Sequence, residues 1–357
     1  MNDLKKNAPL YIQLRSYIWQ QIQQQHWKNG DRLPTEKELA ERFNVSRITI
    51  RNALQALVED GFIYRIQGKG TFVAAERGRP AIADAASRDT PPCIAFLIPR
   101  LNNRITAQLL SSVEDVLSGS GFQLIFCKTH DSQQIEKQKI RELLRLGVKG
   151  FIIYPVEGES YNEEILQLTL SKFPVVVIDR YLRGIETNCV CSDNFGGAYS
   201  AIEHLIRSGH RKIAMVTSPY EGTTSLEDRL SGYERALEDH RLPVDRSLIF
   251  DCTDFSAIPS FLQDHPEVTA IFAGNTDVGV ELVRSAERLG IGIPGQLAVV
   301  FYDEPEYPDL LKYPFTIIEQ NQPEIGRNAA RLLLSIMENP YQTRTKITVP
   351  TKLVVRA

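Results

Sequence analysis

Residues 74–92 interrupt the hydrophobic pattern of the chain and thereby limit how it can fold. The segment is rich in small and polar residues and includes Pro80, Pro91 and Pro92, which is typical of a linker. Before it lie three helical patterns and a short hairpin pattern; after it, β-branched runs alternate with amphipathic stretches. Because 357 residues exceed the usual size of one hydrophobic core, the sequence predicts a small domain over 1–73 and a larger one over 93–357.

The two regions differ in charge. Residues 1–73 carry eleven lysines and arginines and seven acidic residues, a net charge of +4, although the whole chain is at −3. A basic segment on an acidic body favours a nucleic-acid-binding module fused to a domain with another task, because phosphate contacts dominate DNA affinity.

Composition argues against several classes of protein. With 43% hydrophobic and 24% charged residues the chain is ordinarily globular, and no apolar run is long enough to span a membrane. The N-terminus lacks the apolar core of a secretory signal. The odd number of scattered cysteines predicts reduced thiols, and the spacing of Cys189 and Cys191, without a nearby Cys or His partner, is unlike a metal site. We expect a cytoplasmic protein with no metal and no cofactor.

The first region predicts two short helices joined by a tight turn, behind a supporting helix. The supporting helix has a core stripe at four-residue spacing, namely Leu10, Leu14, Ile18 and Ile22. Thr35 and Glu38 form a capping-box signature for a helix over about residues 36–43, Asn44 and Val45 turn the chain, and Ser46 caps a helix that runs to about residue 59. This last helix directs Ile50, Leu54, Leu57 and Val58 inward and keeps Arg47, Thr49, Arg51 and Asn52 on or near its exposed N-terminal half. Such donors at the start of the second helix suit a helix-turn-helix that enters the major groove.

A β-hairpin is predicted directly after these helices. Two apolar-alternating strands flank Gln67-Gly68-Lys69-Gly70. The glycines allow the tip to approach a phosphate or a groove closely, and Lys69 adds a positive charge there. The hairpin is therefore a candidate wing.

These motifs resemble the winged-helix domain of the GntR family over nearly all of residues 9–73. The resemblance rests on Leu33-Pro34-Thr35-Glu36, on Ser46-Arg47-x-Thr49-Ile50-Arg51 and on Gly68-Lys69-Gly70-Thr71-Phe72-Val73. It implies that the following residues contact DNA at the backbone, on the recognition helix and at the wing: Thr35, Glu36, Ser46, Arg47, Thr49, Arg51, Gln67, Gly68, Lys69, Gly70 and Thr71. Thr35 and Ser46 are helix caps in either case, and the alternative role of Glu36 is to orient an arginine.

The second region predicts βαβ units. Apolar strands are expected at 94–98, 122–126, 150–154, 174–178, 212–216, 247–250, 270–272 and 297–301. Continuous apolar strands with helices between them indicate parallel sheets that are buried on both faces. The predicted fold class is therefore α/β, preceded by a winged helix-turn-helix.

Several phrases of this region resemble the sensor domain of LacI/GalR-type repressors, relatives of periplasmic sugar-binding proteins. They include Pro-Val-Val-Val-Ile-Asp-Arg at 174–180 and Arg-Leu-Ser-Gly-Tyr at 229–233, with others at 193–199, 204–214, 270–275, 289–294 and 320–330. The resemblance covers 93–357 and implies a two-lobed domain. A GntR-type headpiece replaces that family's own headpiece and hinge helix.

Ligands of open α/β sheets bind outside the carboxyl ends of the strands, which places the site in the cleft between the lobes. Arg229 looks like the family's ligand-clamping arginine. The full set of expected ligand contacts is Asp179, Arg180, Arg229, Asn275, Asp303 and Gln320, with Asn103, Arg104 and Asp277 as weaker candidates. Carboxylates and fork donors suit polyhydroxylated ligands, because each hydroxyl both donates and accepts. Asp193-Asn194 and Asn321 are expected to be helix caps.

Two departures from the family pattern leave the ligand open. Thr276 stands where many members have an aspartate after the asparagine, with Asp277 one place further on. The segment after the first strand lacks the aromatic residue that often stacks on the ligand. Arg104 could instead meet an anionic group, so a sugar phosphate or sugar acid is the alternative to a neutral sugar.

The sequence thus predicts a homodimeric transcription regulator, a repressor that binds double-stranded operator DNA and responds to a sugar-like molecule. One competing hypothesis is an enzyme that uses the α/β cleft. No Gly-rich phosphate loop, nucleophile elbow or metal-spaced His/Glu set supports it. The other is an extracytoplasmic solute carrier, against which the basic winged helix and the missing signal count.

Overall fold

A computed structural model gives the structure of the chain. It describes residues 10–24, 26–28, 30–59, 62–66, 69–74, 91–101, 103–156, 158, 162–306 and 315–356. The chain divides into two compact units, Met1–Thr90 and Pro91–Ala357. Most of the predicted linker, residues 75–90, lies outside the described residues.

The described residues of the first unit form three helices and a two-stranded antiparallel sheet. The elements are α1 (Leu10–Gln23), α2 (Glu36–Phe43), α3 (Arg47–Glu59), β1 (Ile63–Ile66) and β2 (Gly70–Val73). Both halves of the predicted capping box at the start of α2 are present, and Asn44 ends that helix in the left-handed conformation with φ 51°. These local signals explain why helix, turn and helix begin and end where the sequence predicts.

The core of this unit lies between α1, α3 and the hairpin. Leu14, Ile18, Ile50, Leu54 and Leu57 are buried in it. The predicted stripe of α1 is wrong at its first member: Leu10 is 61% exposed, because it is the first residue of the helix and lies beyond the core.

The second unit consists of two lobes, each built on a six-stranded sheet. Lobe 1 has the strand order β13-β7-β6-β5-β3-β4, and every neighbouring pair is parallel. Its strands are β3 (Cys93–Ile98), β4 (Gln123–Lys128), β5 (Gly150–Ile153), β6 (Val175–Ile178), β7 (Cys189–Ser192) and β13 (Lys346–Val349). Its helices are α4 (Arg104–Gly119), α5 (Gln133–Leu146), α6 (Glu163–Leu170) and α11 (Gln322–Glu338).

Lobe 2 repeats this plan with the strand order β14-β12-β11-β10-β8-β9, in which only the edge pair β12–β14 is antiparallel. Its strands are β8 (Ile213–Thr217), β9 (Ile249–Asp251), β10 (Ala270–Ala273), β11 (Ala298–Tyr302), β12 (Thr316–Glu319) and β14 (Lys352–Val354). Its helices are α7 (Asn194–Arg207), α8 (Thr224–Asp239), α9 (Ile258–Asp264) and α10 (Thr276–Arg288). Each sheet has a hydrophobic core on both faces, which accounts for the continuous apolar strands.

All eight predicted strands are present, with bounds that differ from the prediction by at most two residues. Sequence reasoning missed β7, β12, β13 and β14. These four are three or four residues long and flank the places where the chain passes between the lobes, from β7 to α7, from β12 to α11 and from β13 to β14. Among the described residues, no helix combines the length and the apolarity needed to cross a bilayer.

Candidate functional site

The N-terminal half of α3 presents the donors that the sequence assigns to DNA. Ser46 caps the helix, because its Oγ accepts the Thr49 backbone N–H at 3.2 Å, and it also lies 2.8 Å from Thr49 Oγ1. Ser46 and Thr49 are thus partly occupied with each other. Arg47 is exposed beside them and projects from the first turn of the helix.

Glu36 orients two arginines on this surface. Arg51 Nε donates to Glu36 Oε2 at 3.4 Å, and Arg65 Nη2 on β1 donates to Glu36 Oε1 at 3.3 Å. The alternative role of Glu36 is therefore the one that the geometry supports. Sequence reasoning missed Arg65, which faces the same carboxylate from the hairpin.

Thr35 serves mainly as the cap of α2. Its backbone N–H and its hydroxyl both donate to Glu38 Oε2, at 2.7 and 2.9 Å, and its Oγ accepts the Glu38 backbone N–H. These bonds lower the pKa of the Glu38 carboxyl. Thr35 thus holds the first turn of α2 in place next to Glu36.

The wing carries Lys69 exposed, with Gly70 and Thr71 half-buried, while Gln67 and Gly68 lie outside the described residues. Gly70 has φ 125°, and a Cβ there would lie 2.7 Å from Arg32 Nε. A glycine is needed at this position on both counts. Its lack of a side chain allows the Arg32 guanidinium to lie against the hairpin, which makes Arg32 a second basic residue that sequence reasoning missed.

Ile48 is a further residue that the sequence analysis passed over. It is 69% exposed in the first turn of α3, between Arg47 and Thr49. An exposed apolar side chain beside arginines on such a helix suits contact with a thymine methyl group. The signal available in the sequence was an isoleucine outside the apolar stripe.

A cavity of about 530 Å³ lies between the two lobes at the carboxyl ends of their strands. It is lined by all six of the expected ligand contacts, Asp179, Arg180, Arg229, Asn275, Asp303 and Gln320, together with Asn103 and Asp277 from the weaker set. The cavity therefore lies where the rule for open α/β sheets predicts a ligand site, at the carboxyl ends of strands from both lobes.

Arg229 lies in the first half of α8 and is 6% exposed. Its Nε donates to Asn194 Oδ1 at 2.9 Å, its Nη1 donates to the Gly274 carbonyl at 2.7 Å, and its guanidinium lies 3.5 Å from the Tyr302 ring centroid. The arginine is thus fixed before any ligand arrives. Asp193 caps α7 as expected, but Asn194 does not share that role and instead positions Arg229.

Asp303 and Gln320 form a buried pair at the cavity. Gln320 Nε2 donates to both carboxylate oxygens of Asp303, at 2.9 and 2.8 Å. Burial raises the pKa of Asp303 to about 6, although the charge of Arg229 and the Gln320 bond lower it. Gln320 Oε1 is buried and has no hydrogen-bond partner among the described residues.

Asp179 and Arg180 follow β6 directly. Asp179 has φ 67° and Asp303, after β11, has φ 71°. A non-glycine residue in this region is strained and is often found at functional sites, and aspartate is among the residues that tolerate it. Arg180 Nε lies 3.6 Å from Asp179 Oδ2, and its Nη1 donates to the Pro155 carbonyl at 3.2 Å.

Asn275 and Asn103 line the cavity and also cap helices. Asn275 caps α10 through its Oδ1 and donates from Nδ2 to Ser218 Oγ at 2.8 Å. Asn103 caps α4 in the same way, because its Oδ1 accepts from the Thr106 backbone N–H. Asp277 is exposed at the rim.

Arg104 does not line this cavity. Its Nη1 donates to Glu304 Oε2 at 3.1 Å, and Arg356 Nη2 donates to the other oxygen of the same carboxylate. Arg104 belongs to lobe 1 and Glu304 follows β11 of lobe 2, so the ion pair joins the lobes beside the cavity mouth. The arginine expected to meet an anion therefore already has a carboxylate partner.

Aromatic side chains do line the cavity, although none follows the first strand. Tyr154 comes from the end of β5, and Phe255 comes from the segment after β9 and is 39% exposed. The segment after the first strand thus supplies no stacking residue, but aromatic side chains from other elements line the cavity. Tyr154 also lies 5.1 Å below the Arg180 guanidinium.

The comparisons with known families match both units. Residues 10–73 match the model of bacterial regulatory proteins of the gntR family, and residues 202–357 match that of a periplasmic binding protein-like domain. The chain joins a gntR-family winged helix to a periplasmic-binding-protein-like domain.

Curated relatives match nearly the whole length of this regulator. It is 29% identical to an arabinose metabolism transcriptional repressor of Geobacillus stearothermophilus over 94% of this chain and 93% of that one. It is 27% identical to a ribose operon repressor of Halalkalibacterium halodurans over 91% and 96% of the two chains. A solved LacI family regulator from Enterococcus faecium with bound ribose is 26% identical and superposes with a TM-score of 0.63, covering 74% of this chain and 97% of that one.

These findings place the chain among transcription regulators rather than enzymes. Among the described residues, no group of three or more His, Cys, Asp or Glu side chains is arranged to hold a metal ion. Both Cys189 and Cys191 are free and buried in β7.

Proposed function

We propose that this regulator is a homodimeric repressor of the cytoplasm that binds double-stranded operator DNA through α3 and the wing. We further propose that a neutral sugar, bound in the cavity between the lobes, controls this binding. The ligand acts by favouring one relative position of the lobes, which requires that it bind the two states with different affinity.

The observation that carries the choice of a neutral ligand is the internal pairing of charge in the cavity. Arg180 lies beside Asp179, Arg229 is held by Asn194 and Gly274, and Arg100 forms an ion pair with Asp131. Among the charged residues that line the cavity, four aspartates face three arginines. An anion would therefore find no excess of cations, whereas sugar hydroxyls can donate to carboxylates and accept from guanidinium groups.

Two further features support a sugar. Gln320 Oε1, which is buried without a hydrogen-bond partner among the described residues, can accept a hydroxyl hydrogen, and this would remove the cost of an unsatisfied acceptor. Tyr154 and Phe255 offer apolar faces for the C–H side of a sugar ring. The names of the relatives, which include arabinose and ribose repressors, agree with this chemistry.

The alternative, a sugar phosphate or sugar acid, depends on Arg104. That side chain is 63% exposed and paired with Glu304 outside the cavity lining. An anionic ligand would have to displace Glu304, which also binds Arg356. We therefore favour the neutral ligand.

The test is a thermal-shift screen of arabinose and ribose against their phosphate esters. A ligand at a hundred times its dissociation constant stabilises the folded state by about 2.7 kcal/mol. We expect a neutral pentose to raise the melting temperature of the wild type and to have no effect on Arg229→Ala. The control is Arg235→Ala, which changes an exposed arginine on the same helix that pairs with Asp239.

Arg235→Ala should respond to the sugar as the wild type does. A cooperative melting transition of Arg229→Ala without ligand, at a temperature close to that of the wild type, would show that the domain that carries Arg229 is folded. A shift with the phosphate esters alone, or an unchanged sugar response in Arg229→Ala, would contradict the proposal.

A further inference from the structure

Glu136 is a buried carboxylate outside the 530 Å³ cavity. It lies in the first turn of α5 and is 1% exposed. Its Oε1 accepts the Val156 backbone N–H at 3.0 Å, and its Oε2 accepts Asn162 Nδ2 at 2.8 Å. The side chain thus fastens the segment that follows β5 to helix α5.

The same segment holds a ligand contact on its other side. The Pro155 carbonyl accepts Arg180 Nη1 at 3.2 Å, and the ring of Tyr154 lies 5.1 Å from the Arg180 guanidinium. Glu136, Pro155, Val156 and Arg180 also line a common internal space of about 20 Å³. A continuous path of contacts therefore runs from Glu136 through the Pro155–Val156 segment to Arg180.

We infer that Glu136 is a positioning residue for the ligand-binding cavity, because it holds the Pro155–Val156 segment and, through that segment, the guanidinium of Arg180. This inference rests on the proposed function of the cavity. Glu136 itself does not touch the ligand. Its role is to fix the orientation of the Arg180 guanidinium. The planar N–H donors of this group form paired hydrogen bonds with a ligand only when they point at its acceptors.

The protonation state of Glu136 controls this path. Burial raises the pKa of Glu136 to about 7, while the bonds from Val156 and Asn162 and the charge of Arg180 lower it. A protonated carboxyl carries a donor where both neighbours are donors, so one hydrogen bond is lost. We therefore expect a well-held Arg180 above about pH 7 and a looser one below.

Other charged groups lie on the elements around Glu136, within the described residues. On α5 and α6, Lys137 pairs with Glu163 and Arg141 with Glu164. The segment after β6 contributes Asp179 and Tyr181, and the pKa of Tyr181 is raised to about 12. These charged groups on the helices are thus paired with one another.

The first test measures arabinose affinity by calorimetry between about pH 6 and pH 8, where Glu136 titrates. We expect the wild type to bind roughly two- to tenfold more tightly at the upper end, the factor for one hydrogen bond. Glu136→Gln should bind more weakly than the wild type at the upper end and should lack the step near pH 7, so that only the step caused by Asp303 near pH 6 persists. The control is Glu142→Gln, a carboxylate of the same helix that pairs with Lys139 at the surface and should leave both affinity and pH profile unchanged.

A double-mutant cycle then separates positioning from general destabilisation. If Glu136 acts through Arg180, Glu136→Gln has no further effect on affinity when Arg180 has been replaced in Arg180→Ala. An equal loss of affinity in both backgrounds would overturn the inference.

A measurement without ligand keeps the inference testable even if no sugar binds. The Nε–H resonance of Arg180, assigned by its absence in Arg180→Lys, should shift with pH in the wild type with a midpoint near 7 and stay constant in Glu136→Gln. Asn162→Ala removes a donor to the carboxylate and should move that midpoint upward. A pH-independent resonance in the wild type, or a titration that persists in Glu136→Gln, would refute the positioning role, whereas failure of every sugar to bind would refute only the proposed function.

Discussion

The two proposed binding surfaces of this regulator use arginine in opposite ways. On the winged helix, Arg47 and Lys69 are exposed, and Arg51 is 63% exposed with only a long bond to Glu36. In the cavity, Arg229 is buried and held by two hydrogen bonds and an aromatic ring. A DNA phosphate brings its own charge to a surface arginine, whereas a neutral sugar gives little electrostatic gain and requires donors that are already in place.

The largest effect is expected from removing an exposed arginine of the winged helix. Arg47→Ala and Arg51→Ala should each weaken operator binding by about 1–3 kcal/mol, or roughly 5- to 150-fold, because each removes a proposed donor to DNA. The measurement is a mobility-shift titration on duplex DNA from upstream of the operon, repeated at several salt concentrations. For a residue that contacts a phosphate, the slope of affinity against salt should fall by about one.

Arg42→Ala is the matched control for these variants. Arg42 is an exposed arginine near the end of α2, with its guanidinium 5.9 Å from the Phe43 ring centroid. We expect its replacement to leave operator affinity nearly unchanged. An equal loss in Arg42→Ala would mean that net charge alone, and not the placement on α3, determines binding.

Whether the sequence predicts a contact correctly depends on how far apart its two residues lie along the chain. The cap formed by Thr35 and Glu38 spans three residues, and both residues carry the signal themselves. The positions of Asp179 and Asp303 follow from strand patterns and the rule for parallel sheets. The partners Arg65 of Glu36 and Asn194 of Arg229 are 29 and 35 residues away in sequence, and only the packing of the elements brings them together.

Arg104 shows the same limit through a contact that was predicted but is not found in the cavity lining. Its place after the first strand of the cleft domain predicts a ligand contact, but its partner Glu304 is 200 residues away and on the other lobe. A local pattern can place a side chain at the mouth of a cleft, but it cannot say which charges meet it there. The short strands β12 and β14 were missed for a related reason, since their pairing depends on how the chain passes between lobes.

A second prediction concerns the buried charge of Asp303. Its pKa is raised to about 6, above the value of an exposed aspartate, so the folded state binds more protons than the unfolded state between the two values. The contribution of this group to stability is therefore full at low pH and is lost as pH rises through about 6, by up to roughly 3 kcal/mol. The binding of a sugar hydroxyl has the opposite dependence, because the ionised carboxylate is the better acceptor.

Asp303→Asn tests both pH dependences, that of stability and that of sugar binding. Relative to the wild type, the variant should be more stable at about pH 8 than at about pH 4, as measured by denaturant unfolding. Its sugar affinity should lose the step near pH 6 and keep the step near pH 7 that we assign to Glu136. A step near pH 6 that survives in Asp303→Asn would show that another group controls the cavity.

The smallest expected effect separates the two classes of ligand. Arg104 is exposed and its ion pair with Glu304 is worth at most about 1 kcal/mol, so Arg104→Ala should change the affinity for a neutral sugar by less than roughly fivefold. If the ligand were a sugar phosphate bound by Arg104, the same change would remove a charge-assisted hydrogen bond and weaken binding by about 2 kcal/mol or more. Titration calorimetry with a pentose and its phosphate ester, on Arg104→Ala and on Glu304→Gln, distinguishes these outcomes. Glu304→Gln releases Arg104 from its carboxylate, so tighter binding of the phosphate ester by that variant would show that Glu304 is what excludes anions from the cavity.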